Sequence, residues 1–242
     1  MKHTCWMSTP SGSTPRPRDL FTAFPATAHK TLIVRYPDRD DGRLAHCFAD
    51  AAERLADSYR GSAPDDALLL PFLYLYRHAI ELDLKYCITY ATRLRRHQGH
   101  ADLELVPAEV EARLHKKHGH RIMALLDELD RHMQALGVEK SPPDVRRIFT
   151  LLANTDPRGE SFRYPGSLPQ VQDHIDFEKL RAKLRDAYNV SSAAADVLSA
   201  VEDNYQDAAE EARYAAAEYA YDGAEEAREL ADELRRDFQE YY

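Results

Sequence analysis

The sequence has few residues of the kinds that cross-link a chain or break its helices. It contains three cysteines, Cys5, Cys47 and Cys87, which lie far apart, and only nine glycines among 242 residues. The wide spacing of the cysteines, their odd number and the absence of a CxxC pair indicate neither a disulfide framework nor a zinc knuckle. A reduced, cytoplasmic setting is the simplest interpretation of this cysteine usage.

Long apolar runs are missing as well. The longest strongly apolar run is Ala67–Tyr76, whereas a transmembrane helix needs about 20 apolar residues, so we expect no membrane association. Residues 1–19 are rich in Ser, Thr and Pro and contain no apolar stretch. They do not resemble a secretory signal, and their composition predicts a disordered leader.

Motifs of the common nucleotide-driven and hydrolytic enzymes are also absent. The sequence contains no GxxxxGK[ST] phosphate loop, no GxGxxG, no GxSxG elbow and no HExxH pattern. These classes of enzyme therefore lose support, and we expect no bound cofactor and no metal.

Charge is unevenly distributed along the chain. Residues 201–242 hold 14 acidic residues and four arginines, a balance of −10, so the other 200 residues balance at +1. The overall charge of −9 thus reflects the acidic C-terminal region. Such a region can repel a polyanion or cover a basic face, so acidity alone does not exclude a nucleic-acid ligand.

Helix-forming residues dominate what remains, and Ala, Leu, Glu and Arg in this abundance predict an all-α protein. The one β-like segment, Thr31–Tyr36, predicts an extended arm, because a lone strand builds no sheet. We expect a leader at 1–19, a helical bundle with this arm at 20–190, and acidic Ala/Glu/Tyr-rich helices at 191–242, with Gly223 as a candidate break. Apolar residues at helical spacing predict helices in these segments: Arg43–Tyr59, Leu68–Leu94, Val106–His115, Ile122–Leu136, a helix from Pro143, and one or two long helices from Phe177.

The helix at Leu68–Leu94 is apolar almost all round, which predicts that it is central and buried. Arg77, Glu81 and Lys85 follow one another at four-residue spacing on one of its faces, with His78 beside them. Buried charge is costly unless it is paired. This polar stripe therefore either lines a functional cleft or forms a structural ladder of ion pairs.

Two further segments are candidates for chemistry. The segment Arg113–His120 is basic and rich in histidine, which fits a solvated helix end, an RNA-contacting or nucleolytic site, or a metal site through His115 and His118. Arg163 lies between two aromatic residues of a long loop. Its guanidinium could clamp a phosphate or carboxylate, or it could anchor the loop through backbone carbonyls.

Three pieces of the sequence together resemble the HEPN-like helical proteins of bacteria, which carry an RHxxELxLK helix, a His-led helix and an FRYP loop. The corresponding pieces are residues 77–85, His118–Leu129 and Phe162–Pro165, and the resemblance spans about residues 43–200. It implies an antiparallel helical bundle that forms a homodimer, here with a long C-terminal helical extension.

Many HEPN proteins are metal-independent endoribonucleases of toxin–antitoxin and antiviral defence systems, with Arg, four to six residues, then His. Arg113 with His118 or His120 matches this spacing, and the nuclease members often have Tyr where His120 stands. The resemblance implies that the His moves a proton and the Arg stabilises charge on the phosphate. The residues expected to shape the cleft are Arg77, His78, Glu81, Lys85, Arg163 and Tyr164.

Two alternatives stay open: a catalytically inactive interaction or dimerisation module, and a small-ligand sensor built on the polar stripe. The partners to expect are a second copy, an RNA substrate, and a protein or antitoxin bound by the C-terminal helices. A nuclease needs its Arg and His in one exposed cleft. A scaffold would bury them as paired ions and expose an apolar face on Tyr205–Phe238, and a sensor would enclose a pocket near Arg77.

Overall fold

The structure is a computed structural model that describes the backbone of residues 41–164 and 174–240, and the side chains of 42–164 and 174–236. The predicted leader at 1–19 and arm at Thr31–Tyr36 lie outside the described residues. Throughout the described ranges every regular element is helical and no strand occurs, so the all-α prediction is confirmed.

The described residues contain seven α-helices, and short 3₁₀-helical or π-helical turns lie between some of them. The helices are α1 Asp41–Ala56, α2 Leu69–His97, α3 Pro107–Ala112, α4 Ile122–Ala135, α5 Pro143–Thr155, α6 Phe177–Ser192 and α7 Ala194–Glu240. Two 3₁₀ turns, Ala63–Leu68 and Leu103–Leu105, precede α2 and α3, and a π-helical turn, Arg113–His118, follows α3.

Helix α2 is the centre of the bundle. Its apolar side chains Phe72, Ile80, Leu84 and Ile88 are completely buried, and it contacts α1, α4, α6 and the start of α7. Pro71 lies in its first turn, where a backbone N–H has no helical acceptor and its loss costs little. The sequence prediction that this helix is central and buried is therefore confirmed.

Helix α1 lies against α2 through a row of small residues. Ala45, Ala49, Ala52 and Ala56 are all buried and recur every three or four positions, so they share one face of the helix. Small side chains let two helix backbones approach closely. This packing leaves Phe48, on the edge of the same face, in contact with α2.

The chain between α3 and α4 turns sharply at Gly119, whose φ of +55° lies in the left-handed region that glycine adopts most easily. Helix α4 then packs on α2 through Leu125, Leu126 and Leu129, which are buried. The turn therefore separates the histidines on either side of it, His118 reaching Glu128 of α4 and His120 reaching Glu81 of α2.

Helix α7 is 47 residues long, and the burial of its side chains differs between its start and the rest of the helix. Leu198 is buried against the bundle, whereas from Asp203 to Arg236 every side chain is exposed. A helix of this length spans about 70 Å. The candidate break at Gly223 does not occur, because α7 continues through it, and the two C-terminal helices are separated at Ala193.

None of the helices in the described ranges has an apolar stretch of the length that a bilayer crossing requires.

Candidate functional site

Glu81 on α2 is shared by three basic side chains. Its carboxylate lies 2.7 Å from Lys85 Nζ, 3.3 Å from Arg77 Nη1 and 2.9 Å from His120 Nδ1. Burial opposes its ionisation, but hydrogen bonds from Lys85 and then His120 outweigh burial and lower the pKa of Glu81. The four-residue spacing seen in the sequence thus becomes a ladder of ion pairs, to which His120 is added from another segment.

Arg77 joins three segments of the chain. Its Nη2 donates to the backbone oxygen of His120 at 2.6 Å, and its Nε lies 3.0 Å from Asp156 Oδ2. Nη2 and Nε also point to the backbone oxygen of Asp156, at 3.3 and 3.4 Å. Because the buried guanidinium is surrounded by acceptors of the protein itself, Arg77 stabilises the site rather than offering its charge to a ligand.

Asp156 and Gly159 complete this anchor. Asp156 is completely buried, and its Oδ1 accepts hydrogen bonds from the backbone N–H groups of Glu160 and Ser161 at 2.8 and 3.0 Å. Gly159 has a φ of +77° and lies so close to Arg77 that an added Cβ would be 2.7 Å from Nη1. The sequence prediction missed both residues, although Asp-Pro-Arg-Gly is a recognisable turn signature.

His120 is the exposed histidine of the cluster. Its side chain is 57% exposed, its Nδ1 lies 2.9 and 3.0 Å from the two oxygens of Glu81, and its Nε2 makes no hydrogen bond with any described residue. A carboxylate on one ring nitrogen fixes the orientation of an imidazole and leaves the other nitrogen to exchange protons.

His78 lies close by on α2, half-buried between two aromatic rings. The ring of Phe48 meets it edge-on at 4.4 Å, and the ring of Tyr74 stacks at 5.9 Å between centroids. Burial lowers the pKa of His78. The carboxylate of Glu81 acts to raise it, whereas Lys85, His120 and Arg163 lower it further. His78 is therefore uncharged at neutral pH.

Arg163 and Tyr164 lie at the other edge of the same patch. Arg163 Nε donates to the backbone oxygen of Gly159 at 2.9 Å, and its guanidinium carbon lies 5.8 Å from the ring centres of Tyr74 and Tyr164. Its two terminal nitrogens make no hydrogen bond in the described part of the chain. One donor, Nε, thus anchors the loop.

A second carboxylate, Glu128 on α4, binds the other predicted pair. Arg113 Nε lies 2.7 Å from Glu128, His118 Nε2 hydrogen-bonds to the same carboxylate, and His132 Nε2 lies 3.5 Å away. Burial alone would raise the pKa of Glu128, but hydrogen bonds from His132, Arg113 and His118 lower it to about 2. Arg113 and His118 are only 14% and 10% exposed, so they are present as nearly buried, paired groups.

This second cluster extends to the end of α2. The completely buried His132 places Nδ1 3.0 Å from Arg95 Nη1, and Arg95 pairs with Asp102 at 3.0 Å. Arg113 Nη1 also donates to the backbone oxygen of Glu104 at 3.0 Å. Arg95 Nε, Arg113 Nη2 and His118 Nδ1 are buried without a hydrogen-bond partner among the described residues. The ion pairs that are made join α2, α4 and the π-helical turn.

The structure thus separates residues that the sequence treated as one motif. His118 bonds to Glu128 and His120 to Glu81, since the left-handed turn at Gly119 directs the two side chains to different carboxylates. Of the predicted residues, Arg77, Lys85 and His120 contact Glu81. His78 lies beside them on α2, and Arg163 and Tyr164 lie farther along the patch, Arg163 near the ring of Tyr74. The partners Glu128 and His132 could not be foreseen, because nothing in their local sequence distinguishes them from other residues of an amphipathic helix.

A metal site in the histidine-rich segment finds no matching geometry in residues 41–164 and 174–240, where no three His, Cys, Asp or Glu side chains are grouped to hold an ion.

Comparison of the chain with models of known protein families, with curated proteins and with solved structures finds no match.

Proposed function

We propose that this protein is a metal-independent endoribonuclease in which His120 transfers a proton at the scissile phosphate. The observation that carries the proposal is an exposed imidazole held through Nδ1 by the buried Glu81 carboxylate at 2.9 Å. Its resemblance to HEPN-like proteins of toxin-type and antiviral defence systems supports RNA as the substrate class.

The two histidines of the patch suit the two proton transfers of RNA cleavage. Uncharged His78 accepts the proton of a ribose 2′-OH, and the 2′ oxygen attacks the adjoining phosphorus. The bond from phosphorus to the 5′ oxygen breaks, and protonated His120 donates its proton to that oxygen. The products are a 2′,3′-cyclic phosphate and a 5′-hydroxyl end, and no further reactant is needed.

Cations at the edges of the patch suit the charge that grows on the phosphate. Lys85 lies on one side of Glu81, and the two terminal nitrogens of Arg163 make no hydrogen bond with residues 42–164 or 174–236. A guanidinium binds phosphate oxygens in a planar, two-point manner. Arg113 and His118 have no direct part in this scheme, since Glu128 holds them inside the bundle, where they support the turn that carries His120.

The test is cleavage of a mixed set of end-labelled RNAs in the presence of EDTA. Wild type should cleave, and His120→Ala should slow cleavage by about 100-fold or more, the usual contribution of a general acid. Glu81→Gln should slow it less, and Arg147→Ala, which removes an exposed arginine of α5, should leave it unchanged. Equal cleavage by wild type and His120→Ala, or no cleavage by a folded wild type, would contradict the proposal.

A second candidate, an interaction module without catalysis, is favoured by the exposed part of α7. Side chains of this helix that are usually buried are more than half exposed: Tyr214, Tyr219, Tyr221, Leu230 and Leu234. The burial of Arg113 and His118 as paired groups also fits a scaffold. In that case the C-terminal helix would bind a second copy or a protein partner, and sedimentation of the full chain and of a chain ending at Asp203 would differ in assembly state.

A further inference from the structure

The exposed part of α7 carries one continuous apolar face. From Val201 to Leu234, an apolar residue or glycine stands at every position of a spacing of four, three and four residues, which repeats every 11 residues. Eleven residues make three turns of about 3.67 residues each, close to the pitch of a straight α-helix, so these positions share one face. The part of this face beyond Val201 is called the α7 seam, and it consists of Tyr205, Ala208, Ala212, Ala216, Tyr219, Gly223, Ala227, Leu230 and Leu234.

The α7 seam is exposed along its whole length. Every one of its residues is exposed, including Tyr219 at 80% and Leu230 at 59%. Val201, one step before the seam at the same spacing, still packs against the core of the bundle. The seam therefore continues a face that α7 already uses for packing, and contiguous apolar surface of this kind marks an interaction site.

One side of the seam is acidic. Six carboxylates recur at the same 11-residue interval, in two sets of three: Asp207, Glu218 and Glu229, and Glu211, Asp222 and Glu233. Because they share the repeat of the seam, they follow it along one side of the helix. None of the six forms an ion pair with a residue of 42–164 or 174–236, and the ion pair described within residues 203–236 joins Arg235 to Asp232 at 3.5 Å. Charges beside an apolar seam select the partner helix by its sign.

A second copy of the helix complements this acidic side poorly. Residues 203–236 hold 11 acidic residues and four arginines, a balance of −7, so two such segments repel each other. In an antiparallel pair the two acidic sides would meet. In a parallel pair the six carboxylates would meet the other side of the seam, which offers three arginines, Arg213, Arg228 and Arg235. A helix with lysine or arginine beside its own apolar face can pair with all six.

The small residues of the seam determine the size of the side chains that pack on it. Five of its nine residues are alanine or glycine. Two facing layers pack densely when small residues of one helix meet large residues of the other. The helix that fits the seam therefore carries leucine, isoleucine or phenylalanine at the matching positions.

We propose that the α7 seam binds a basic amphipathic helix of another protein, whose large apolar side chains repeat every 11 residues and whose lysines or arginines face the acidic side. The apolar repeat supplies burial and fixes the register, and the charges select the partner. The inference is independent of RNA cleavage, and it gives the interaction module of the second candidate function a partner of defined chemistry.

Fluorescence anisotropy of the full chain with two labelled synthetic peptides tests the proposal at about 0.15 M salt. The first peptide has three 11-residue repeats with leucine at the spacing of the seam and lysine beside it, and the second has the same composition in scrambled order. Wild type should bind the repeat peptide saturably at one to one, and about tenfold or more tightly than the scrambled peptide.

Two neighbouring alanines separate the apolar contribution from that of charge. Ala216→Glu places a carboxylate within the seam and should weaken binding of the repeat peptide about tenfold or more, because an apolar partner surface would then cover a charge. Ala217→Glu adds the same charge one position along, away from the seam, and should bind the peptide like wild type.

Two neighbouring glutamates test the acidic side in the same way. Glu211→Lys and Glu210→Lys change the net charge equally, but only Glu211 belongs to the six repeating carboxylates. Glu211→Lys should therefore weaken binding by about threefold more than Glu210→Lys, as expected for one exposed ion pair exchanged for a repulsion.

Equal binding of the two peptides, equal binding by Ala216→Glu and Ala217→Glu, or no saturable binding to wild type would overturn the site. Sedimentation of the full chain without peptide tests the other occupant, since a dimer that Ala216→Glu dissociates would assign the seam to a second copy and overturn the proposal. Repeat-peptide binding in a protein that never cleaves RNA would refute the nuclease and retain the seam, whereas cleavage without peptide binding would do the reverse.

Discussion

At the residue scale, the histidines on either side of Gly119 differ in which ring nitrogen is engaged and in how much solvent reaches them. His118 uses Nε2 on Glu128 and is nearly buried, whereas His120 uses Nδ1 on Glu81 and is 57% exposed. A buried imidazole paired to a carboxylate stabilises the fold, and an exposed one held on a carboxylate is available for proton transfer.

Gly159 is expected to be essential to the anchor formed by Arg77. Gly159→Ala should lower the free energy of unfolding by roughly 2 to 4 kcal/mol, because the methyl group meets Arg77 Nη1 and the φ of +77° strains any residue with a Cβ. Urea unfolding measures this difference.

Gly137→Ala is the matched control for that measurement. Gly137 has a φ of +76° and no atom within 4 Å of an added Cβ, so its substitution reports the backbone cost alone, about 1 kcal/mol. Equal losses at the two positions would show that contact with Arg77 contributes nothing.

Asp83 gives the protein a pH dependence that runs against the usual direction for a carboxyl. Burial raises its pKa to about 7, opposed by a hydrogen bond with Ser191, and its Oδ2 is buried without a hydrogen-bond partner. The unfolded chain releases this proton near its ordinary value of 3.8. The contribution of Asp83 to stability is therefore complete below about pH 4 and is lost as the pH rises towards 7.

Asp83→Asn should remove this loss of stability at higher pH, because an asparagine side chain does not ionise. Urea titrations from pH 4 to pH 8 should show that the variant and wild type are similar at pH 4, and that the variant is more stable by roughly 1 to 3 kcal/mol at pH 8. Asp50→Asn, at an exposed position of α1, should stay within about 0.5 kcal/mol of wild type. A wild type that gains stability relative to Asp83→Asn as the pH rises would contradict this description of the site.

Residues four apart on a helix were enough to predict that Arg77, Glu81 and Lys85 interact, because helix geometry alone brings them together. The partners that complete each cluster were not predictable. Asp156 lies 79 positions from Arg77 and His120 lies 39 from Glu81, and only the packing of α4 and of the loop after α5 brings them to α2.

At the element scale, apolar spacing predicted the helices well because most of them bury one face against α2. The sequence left a break at Gly223 open because no packing contact decides there, and the structure shows that the exposed part of α7 continues through it. A single glycine costs a solvent-exposed helix only about 1 kcal/mol relative to alanine, which a long run of Ala and Glu offsets.

The exposed part of α7 is expected to contribute little to the stability of the bundle. A chain that ends at Asp203 retains Leu198 and the hydrogen bond from Tyr90 to Glu202, so its melting temperature should stay within about 2 °C of the full chain. Leu198→Ala, which creates a cavity at a completely buried position, should cost roughly 2 to 4 kcal/mol. Thermal unfolding followed by circular dichroism compares the three proteins.

A large loss of stability on truncation would show that α7 packs on another surface, for example that of a second copy. In that case the melting temperature of the full chain would also rise with protein concentration, because association stabilises the folded state by mass action.

At the scale of the whole molecule, two carboxylates on neighbouring helices, Glu81 and Glu128, each gather several of the candidate residues into one cluster. Glu128 gathers Arg113, His118 and His132 in the interior, and Glu81 presents His120 at the surface. Chemistry is expected at the cluster around Glu81 and structural support at the cluster around Glu128, and the resemblance to HEPN-like proteins did not distinguish between them.

Unfolding and RNA cleavage measured side by side for His118→Ala and His120→Ala test this division most directly. His120→Ala should unfold like wild type and lose cleavage. His118→Ala should lose roughly 1 to 3 kcal/mol of stability, because it removes a hydrogen bond from buried Glu128, and should still cleave RNA at temperatures where it is folded. A stable His118→Ala variant without activity, beside an active His120→Ala variant, would contradict the account.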